Sequence, residues 1–246
     1  MRTVYFAAHV HLSPANMNWL RPEELEALRL SLSVATRSVL CSLPVALLLA
    51  WLLTRRRFYG RTLLDAFVHL PLVLPPVVVG YILLLLFGSR GPIGAWLTRA
   101  FGLQLVFTRN GAALATAVMS LPLMVRAMRI SLENVDRGLE EAARTLGAAT
   151  LDRFGTITLP LMLPGILAGA ITAFSAALGE FGAVITFVSN IPGETRTLPL
   201  ALYTALQAPG GDAAAARLAF ISFLLGLSGL LLSEWFARRV RALLGR

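Results

Sequence analysis

Leu161-Met-Leu-Pro-Gly-Ile-Leu-Ala-Gly-Ala-Ile-Thr-Ala-Phe-Ser-Ala-Ala-Leu-Gly-Glu-Phe-Gly-Ala-Val-Ile-Thr-Phe-Val188 runs with a single charge, Glu180. A helix crosses a bilayer with about 20 mostly apolar residues, and this stretch exceeds that length. Four others meet the same test: residues 30–53, 63–87, 111–128 and 215–236. Five such segments predict an all-α, polytopic transmembrane helical bundle of about five spans. In lipid, backbone groups must pair within the chain, and a helix achieves this.

The whole composition agrees. Of 246 residues, 57% are hydrophobic and 14% charged, well below the roughly 25% charged of soluble domains. Mean hydropathy is +0.72. The expected organisation is an external lead-in over 1–27, a membrane domain over 28–236 and a basic tail over 237–246. A loop over about 129–160 faces the cytoplasm.

The net charge is +9, and all 22 basic residues are Arg. Nucleic acid is not the expected partner, because these residues cluster between apolar runs and not on one soluble face. Arg55, Arg56, Arg57 and Arg61 follow the first run. Arg126, Arg129, Arg137, Arg144 and Arg153 lie around the third connection, and Arg238, Arg239, Arg241 and Arg246 follow the fifth run. Positive loops stay in the cytoplasm, so the N-terminus is expected outside and the C-terminus inside.

Several features have ordinary readings. His9 and His11 form a weak metal pair, and no metal site is expected. Met17 offers an alternative translation start. Cys41, alone in an apolar run, reads as a small core residue. Arg37 and Asp65 read as side chains reaching water from their helix ends. Residues 93–105, with Trp96, and 198–207, with Tyr203, read as short amphipathic helices at the outer interface. They serve either an external partner or membrane anchoring. In the second run Pro71, Pro75, Pro76 and Gly80 predict a kink, placed near a translocation path. In the fourth, Gly165, Gly169, Ala173 and Ala177 form a small-residue stripe suited to close helix packing.

The 129–160 loop is more informative. Asp136 suits an N-cap, and Glu140 and Glu141 favour the positive end of a following helix. Leu139, Ala142, Ala143 and Leu146 recur on one helical face, and Gly147 suits the stop. A helix this short needs a partner surface to be stable.

Glu141-Ala142-Ala143, Gly147 and Ile157-Thr-Leu159-Pro160 stand at the spacing of the cytoplasmic signature of type I ABC importer permeases, which this chain resembles. The resemblance implies that this helix couples to a cleft of an ATP-binding subunit through Glu141, Ala142, Ala143 and Gly147. Ile157, Leu159 and Pro160 then join it to the fourth span. Leu178-Gly-Glu-Phe-Gly-Ala183, the Ile185–Thr197 stretch, His69–Tyr81, Ser120–Arg126 and Gln207–Gly211 resemble the molybdate branch of the oxyanion permeases.

That resemblance implies a non-catalytic membrane subunit of an ATP-driven molybdate importer in a bacterial inner (plasma) membrane. It works by alternating access, as a homodimer, with an ABC ATP-binding subunit dimer and an external molybdate-binding protein. A permease for sulfate or tungstate and a stand-alone secondary transporter are the alternatives. An integral-membrane enzyme would need a cluster of catalytic side chains, and only scattered single ones are present. The chain has no Lys and therefore no phosphate-binding Lys loop; no cofactor is expected in it, ATP being bound by the partner.

Glu180, a gate and pathway candidate, is then expected to hold the gate region in shape and not to bind cargo, since a carboxylate repels an oxyanion; the other reading is that it keeps the pore's affinity for the anion low. Phe181, with Gly179 and Gly182 as hinges, is the candidate gate, with Pro75 and Pro76 beside the pathway. Glu194 and Arg196 read either as a surface ion pair or as neighbours of incoming cargo.

Overall fold

The computed structural model describes residues 20–243, so His9, His11 and Met17 lie outside the described residues. Among the described residues every regular element is helical: α1 Pro22–Arg55, α2 Arg61–Val73, α3 Pro76–Phe87, α4 Pro92–Phe101, α5 Arg109–Glu133, α6 Arg137–Thr145, α7 Thr150–Arg153, a π-turn Phe154–Thr158, α8 Leu159–Leu178, α9 Gly182–Val188, α10 Leu198–Gln207 and α11 Asp212–Leu243.

Four continuous helical stretches, α1, α5, α7–α8 and α11, are long and apolar enough to cross a membrane; α2 and α3 together form a fifth, bent by 117°. Contacts between helices set their directions. Arg37 near the middle of α1 meets Asn110 at the start of α5, and Arg55 at the end of α1 meets Val135 just past the end of α5. The two helices therefore run parallel, and the chain between them, α2–α4, must cross back. Gly165 of α8 lies against Ser131 late in α5, and Gly169 against Met124 earlier in it, so α8 is antiparallel to α5. Arg217 of α11 pairs with Glu24 of α1, and Gly229 lies against Ser175, so α11 returns in the direction of α1. This makes five crossings with the two described termini at opposite ends. Arg55, Arg56, Arg137, Arg144 and Arg153 gather around one cavity at the α6 end, which the positive-inside rule makes cytoplasmic.

Two apolar cores stack along the bundle. The outer one joins Leu30 and Val34 to Val79, Leu83, Ala112, Val184 and Phe187. The inner one joins Ala46, Ala50 and Leu53 to Met124, Met128, Leu132 and Met162. The small-residue stripe of α8 is a packing device. A Cβ on Gly165 would stand 2.2 Å from Ser131 Cβ, and one on Gly169 3.2 Å from Ala127 Cβ. Gly165→Leu is expected to cost about 1–3 kcal/mol or more through overpacking and to lower the melting temperature in detergent. Gly226→Ala, where a Cβ meets open space, is the control. Equal melting of both variants would remove the packing role.

Three expectations change. The first helix begins at Pro22, eight residues ahead of the apolar run at residue 30, because Pro22 opens it and Glu24 accepts the Arg21 N–H at 2.9 Å. The fourth apolar run is not one helix over 161–188. Its helix starts at Thr150 and ends at Leu178, and Gly179–Phe181 breaks the chain before the separate, seven-residue α9. Cys41 is not a core residue; it is exposed on α1. Its neighbours Leu40 and Val45 are exposed too, so that face is apolar but bare.

The Pro-rich second run does bend, at Leu74–Pro75, where two prolines remove consecutive backbone donors. Helices form over 92–101 and 198–207 as expected, the first ending four residues short of 105 at Gly102, whose φ is +64°. Arg37 donates to Asn110 at 3.1 Å, and Asp65 is held by Arg129 at 2.6 Å, so neither is a lone snorkelling charge.

Candidate functional site

At the cytoplasmic end α6 forms as its sequence predicts. Asp136 Oδ1 accepts the Gly138 N–H at 2.8 Å and caps the first turn. The last turn closes with Ala148 N–H to Ala143 O at 3.0 Å and Gly147 N–H to Arg144 O at 3.1 Å. Gly147 takes φ +86°, a left-handed conformation natural to glycine after a helix end. α6 buries none of its residues. Leu139 is 48% and Leu146 87% exposed, Ala142 is exposed and Ala143 half-buried. Apart from half-buried Ala143, that apolar face is open among the described residues.

What holds α6 in place is Glu140, one residue before the signature glutamate. Its Oε1 accepts from Arg55 Nη2 at 3.0 Å and from Thr158 Oγ1 at 2.7 Å. Arg55 is only 11% exposed and also reaches Val135 O. One carboxylate thus ties the end of α1, the helix α6 and the π-turn before α8. Glu141 is exposed and lines a cavity of about 610 Å³ between α6, α7 and α1.

Ile157 and Thr158 close the π-turn, whose Leu159 N–H reaches Phe154 O, five residues back. Pro160, exposed, has no N–H and its ring crowds the carbonyl four residues earlier; the wider turn just before it relieves that conflict. Leu159 packs on the inner core. The Ile157-Thr-Leu159-Pro160 segment therefore shapes the entry to α8.

The gate candidates come together in the outer half. A Cβ on Gly182 would meet Pro76 Cβ at 2.8 Å, and one on Gly80 would meet Ala183 O at 2.6 Å, so α3 and α9 touch backbone to backbone. Glu180 Oε1 accepts the Ala183 N–H at 2.9 Å and closes the first turn of α9. Phe181 lies against Tyr203 of α10 with ring centroids 5.2 Å apart and planes tilted by 55°. Pro75 forms the exposed corner of the α2–α3 bend. Glu194 and Arg196 do not pair with each other: Glu194 lies 3.6 Å from Arg109, and Arg196 donates to Asn190 at 3.0 Å.

The roles that sequence reasoning missed are those of Glu140, Arg55, Thr158 and Tyr203. Glu140 sits beside the motif position, but no local pattern links it to an arginine 85 residues away.

A multi-pass helical bundle that presents a short, bare cytoplasmic helix fits the membrane component of a transport assembly. Residues 42–242 match the family described as binding-protein-dependent transport system inner membrane component, and the chain belongs to that family. It is 58% identical to the molybdenum transport system permease protein ModB of Escherichia coli (strain K12) over 227 residues, 92% of this chain and 99% of the relative. It is 55% identical to the ModB of Haemophilus influenzae over 223 residues, 91% and 97% of the two chains. The sulfate transport system permease protein CysT of Escherichia coli (strain K12) is 38% identical over 236 residues, covering 92% and 85%. Among solved structures, a bacterial ABC transporter involved in the import of the acidic polysaccharide alginate shares the fold, with TM-score 0.71, 20% identity and 89% and 80% coverage.

Proposed function

We propose that this chain is the permease subunit of an ATP-driven importer whose cargo is molybdate. The observation that carries the cargo is the near-full-length identity of 58% to a molybdenum permease, against 38% to a sulfate permease. Two copies enclose the path about a two-fold axis, the commonest closed symmetry. An external binding protein delivers the anion. ATP is bound and hydrolysed by a partner subunit.

The apolar face of α6 (Leu139, Ala142, Ala143 and Leu146) docks on that partner, and Glu141, on the opposite side of the helix at the cavity mouth, meets the part of the partner that closes around the helix. Gly147 ends the docking helix, and Ile157, Leu159 and Pro160 carry its displacement into α8. The α3–α9 contact and the Phe181–Tyr203 pair form the gate. Pro75 and Pro76 set its bend, Gly182 allows the close approach, and Glu180 holds the start of α9 and is not a ligand for the anion.

The test is radiolabelled molybdate uptake in cells lacking their own high-affinity permease, supplied with this chain and its partner subunits. Uptake is expected to survive excess sulfate and to vanish in Glu141→Arg, whose side chain pairs with nothing among the described residues and whose loss leaves the bundle folded. Uptake blocked by sulfate would move the reading to a sulfate permease. Uptake indifferent to Glu141→Arg would remove the docking role of that residue.

A further inference from the structure

The cavity behind α6 has a two-part lining. One wall is Pro44, Leu47, Leu48 and Trp51, which recur at helical spacing along one stripe of α1. Above it the stripe continues to Leu40, 65% exposed, and Leu48 itself is 61% exposed. The other wall carries Arg55, Arg56, Arg137, Arg144 and Arg153, against the carboxylates Glu140 and Glu141. Five charges less two leave a surplus of three, and Glu140 is already spent on Arg55.

Two of these guanidinium groups are incompletely satisfied. The Nε atoms of Arg55 and Arg153 are buried and have no hydrogen-bond partner among the described residues. Arg153 is otherwise held through Nη2 to Thr150 Oγ1 at 3.1 Å. Arg56 is positioned over Trp51, 5.1 Å from the ring centroid, a contact with the ring face that uses none of its N–H donors.

We propose that this cavity binds an anionic phospholipid of the inner leaflet. Its phosphate sits among Arg144, Arg153 and Arg56, and an acyl chain runs up α1 along Trp51, Leu48, Pro44 and Leu40. The lengths agree. Leu40 to Trp51 is eleven residues, about 16 Å of helix, close to the roughly 15 Å of half a hydrocarbon core. The volume, about 610 Å³, is that of a ligand pocket. Free phosphate leaves the apolar wall unexplained, and an acidic segment of a soluble partner leaves unexplained the continuation of that wall to Leu40. The cavity lies on the Arg137–Glu140–Glu141–Arg144 side of α6, whereas Leu139, Ala142 and Leu146 are on its other side. The lipid phosphate therefore lies behind α6 at Arg144 and Arg153, the partner holds the apolar face and Glu141 at the cavity mouth, and the lipid braces α6 against α1. That consequence rests on the docking reading of α6; the binding itself does not.

The experiment uses the full chain assembled with its ATP-binding partner in mixed micelles. Phosphatidylglycerol with brominated acyl chains is titrated against brominated phosphatidylcholine, and the quenching due to Trp51 is isolated by subtracting a Trp51→Phe complex. The anionic lipid is expected to quench Trp51 at mole fractions at least about tenfold lower than the zwitterionic one. Removing one arginine weakens anionic-lipid attraction about fivefold, so Arg144→Gln loses about that factor and Arg144→Gln with Arg153→Gln about 25-fold. Arg144 is exposed, so its variant reports on binding even if the double variant folds poorly. Equal quenching by the two lipids would mean general lipid contact and overturn the proposal. Displacement by millimolar inorganic phosphate or glycerol phosphate would make it a free-phosphate site. Selective quenching that appears only without the ATP-binding partner would assign the cavity to protein. Because neither cargo nor turnover enters the readout, these outcomes are independent of the molybdate reading.

Discussion

Arg217→Ala is expected to lower the stability of the detergent-solubilised chain by about 3 kcal/mol, the low end for breaking a buried ion pair by removing one partner. Arg217 Nη2 lies 2.7 Å from Glu24 Oε1, and Arg217 Nε reaches both carboxylate oxygens at 3.2 and 3.3 Å. Glu24 is 5% exposed and Arg217 25%. The pair joins α1 to α11 across 193 residues of sequence, at the outer end where Leu198 and Ala27 pack between them. Without the arginine, the carboxylate keeps only the Arg21 N–H, at 2.9 Å, among the described residues, and stays buried. The low end applies because Arg217 is partly solvated. Glu24→Gln keeps hydrogen-bonding capacity and removes the charge, so it is expected to cost less. Thermal unfolding followed by size-exclusion fluorescence separates the three chains. An Arg217→Ala chain that melts with the parent would show that the pair carries no net stability.

Glu140→Ala is expected to reduce ATP-driven uptake about tenfold to hundredfold while the bundle stays folded. Hydrogen bonds to a charged group contribute about 1.5–3 kcal/mol, and each 1.4 kcal/mol is tenfold in the population of the held arrangement. Glu140 receives two such bonds, from Arg55 and Thr158. Removing it frees α6 from the end of α1 and from the π-turn, so that motion of the partner subunit moves α6 without moving α8. ATP hydrolysis by the assembled complex continues, and uptake per ATP falls. Glu140→Gln still accepts from Thr158 and retains part of the uptake. Parallel measurement of uptake and phosphate release in proteoliposomes reads the ratio directly. A Glu140→Ala complex with the parent's ratio would assign the tether a purely structural role.

Glu140 and Glu141 show where local pattern stops being informative. Spacing and resemblance single out Glu141, which the structure leaves exposed and unpaired among the described residues. Glu140 holds the helix, through an arginine that in sequence reads only as a positive-inside charge after the first span. The Gly179-Glu-Phe-Gly182 stretch is similar. Its glycines suggest a hinge, but hydropathy runs across it, so the apolar run looks like one span. The break becomes definite only when Glu180 closes the first turn of α9 and Pro76 meets Gly182. Tyr203 reads as an interface aromatic, yet it is the ring that lies against Phe181.

By itself the sequence determined the membrane as solvent, five crossings, the cytoplasmic end and the helix over 137–145 with its cap and stop. All of these depend on hydropathy, charge or hydrogen bonds between residues close in the chain, which composition and spacing encode directly. Only the tertiary structure decided that Glu24 faces Arg217, that Glu140 binds Arg55 and Thr158, that α8 ends at Leu178 and that five arginines converge on one cavity beside an apolar stripe. Those facts depend on which helices pack together and in what register. Small residues such as Gly80, Gly165 and Gly182 set that packing by allowing backbones to touch, and a contact between distant segments leaves no local period to read.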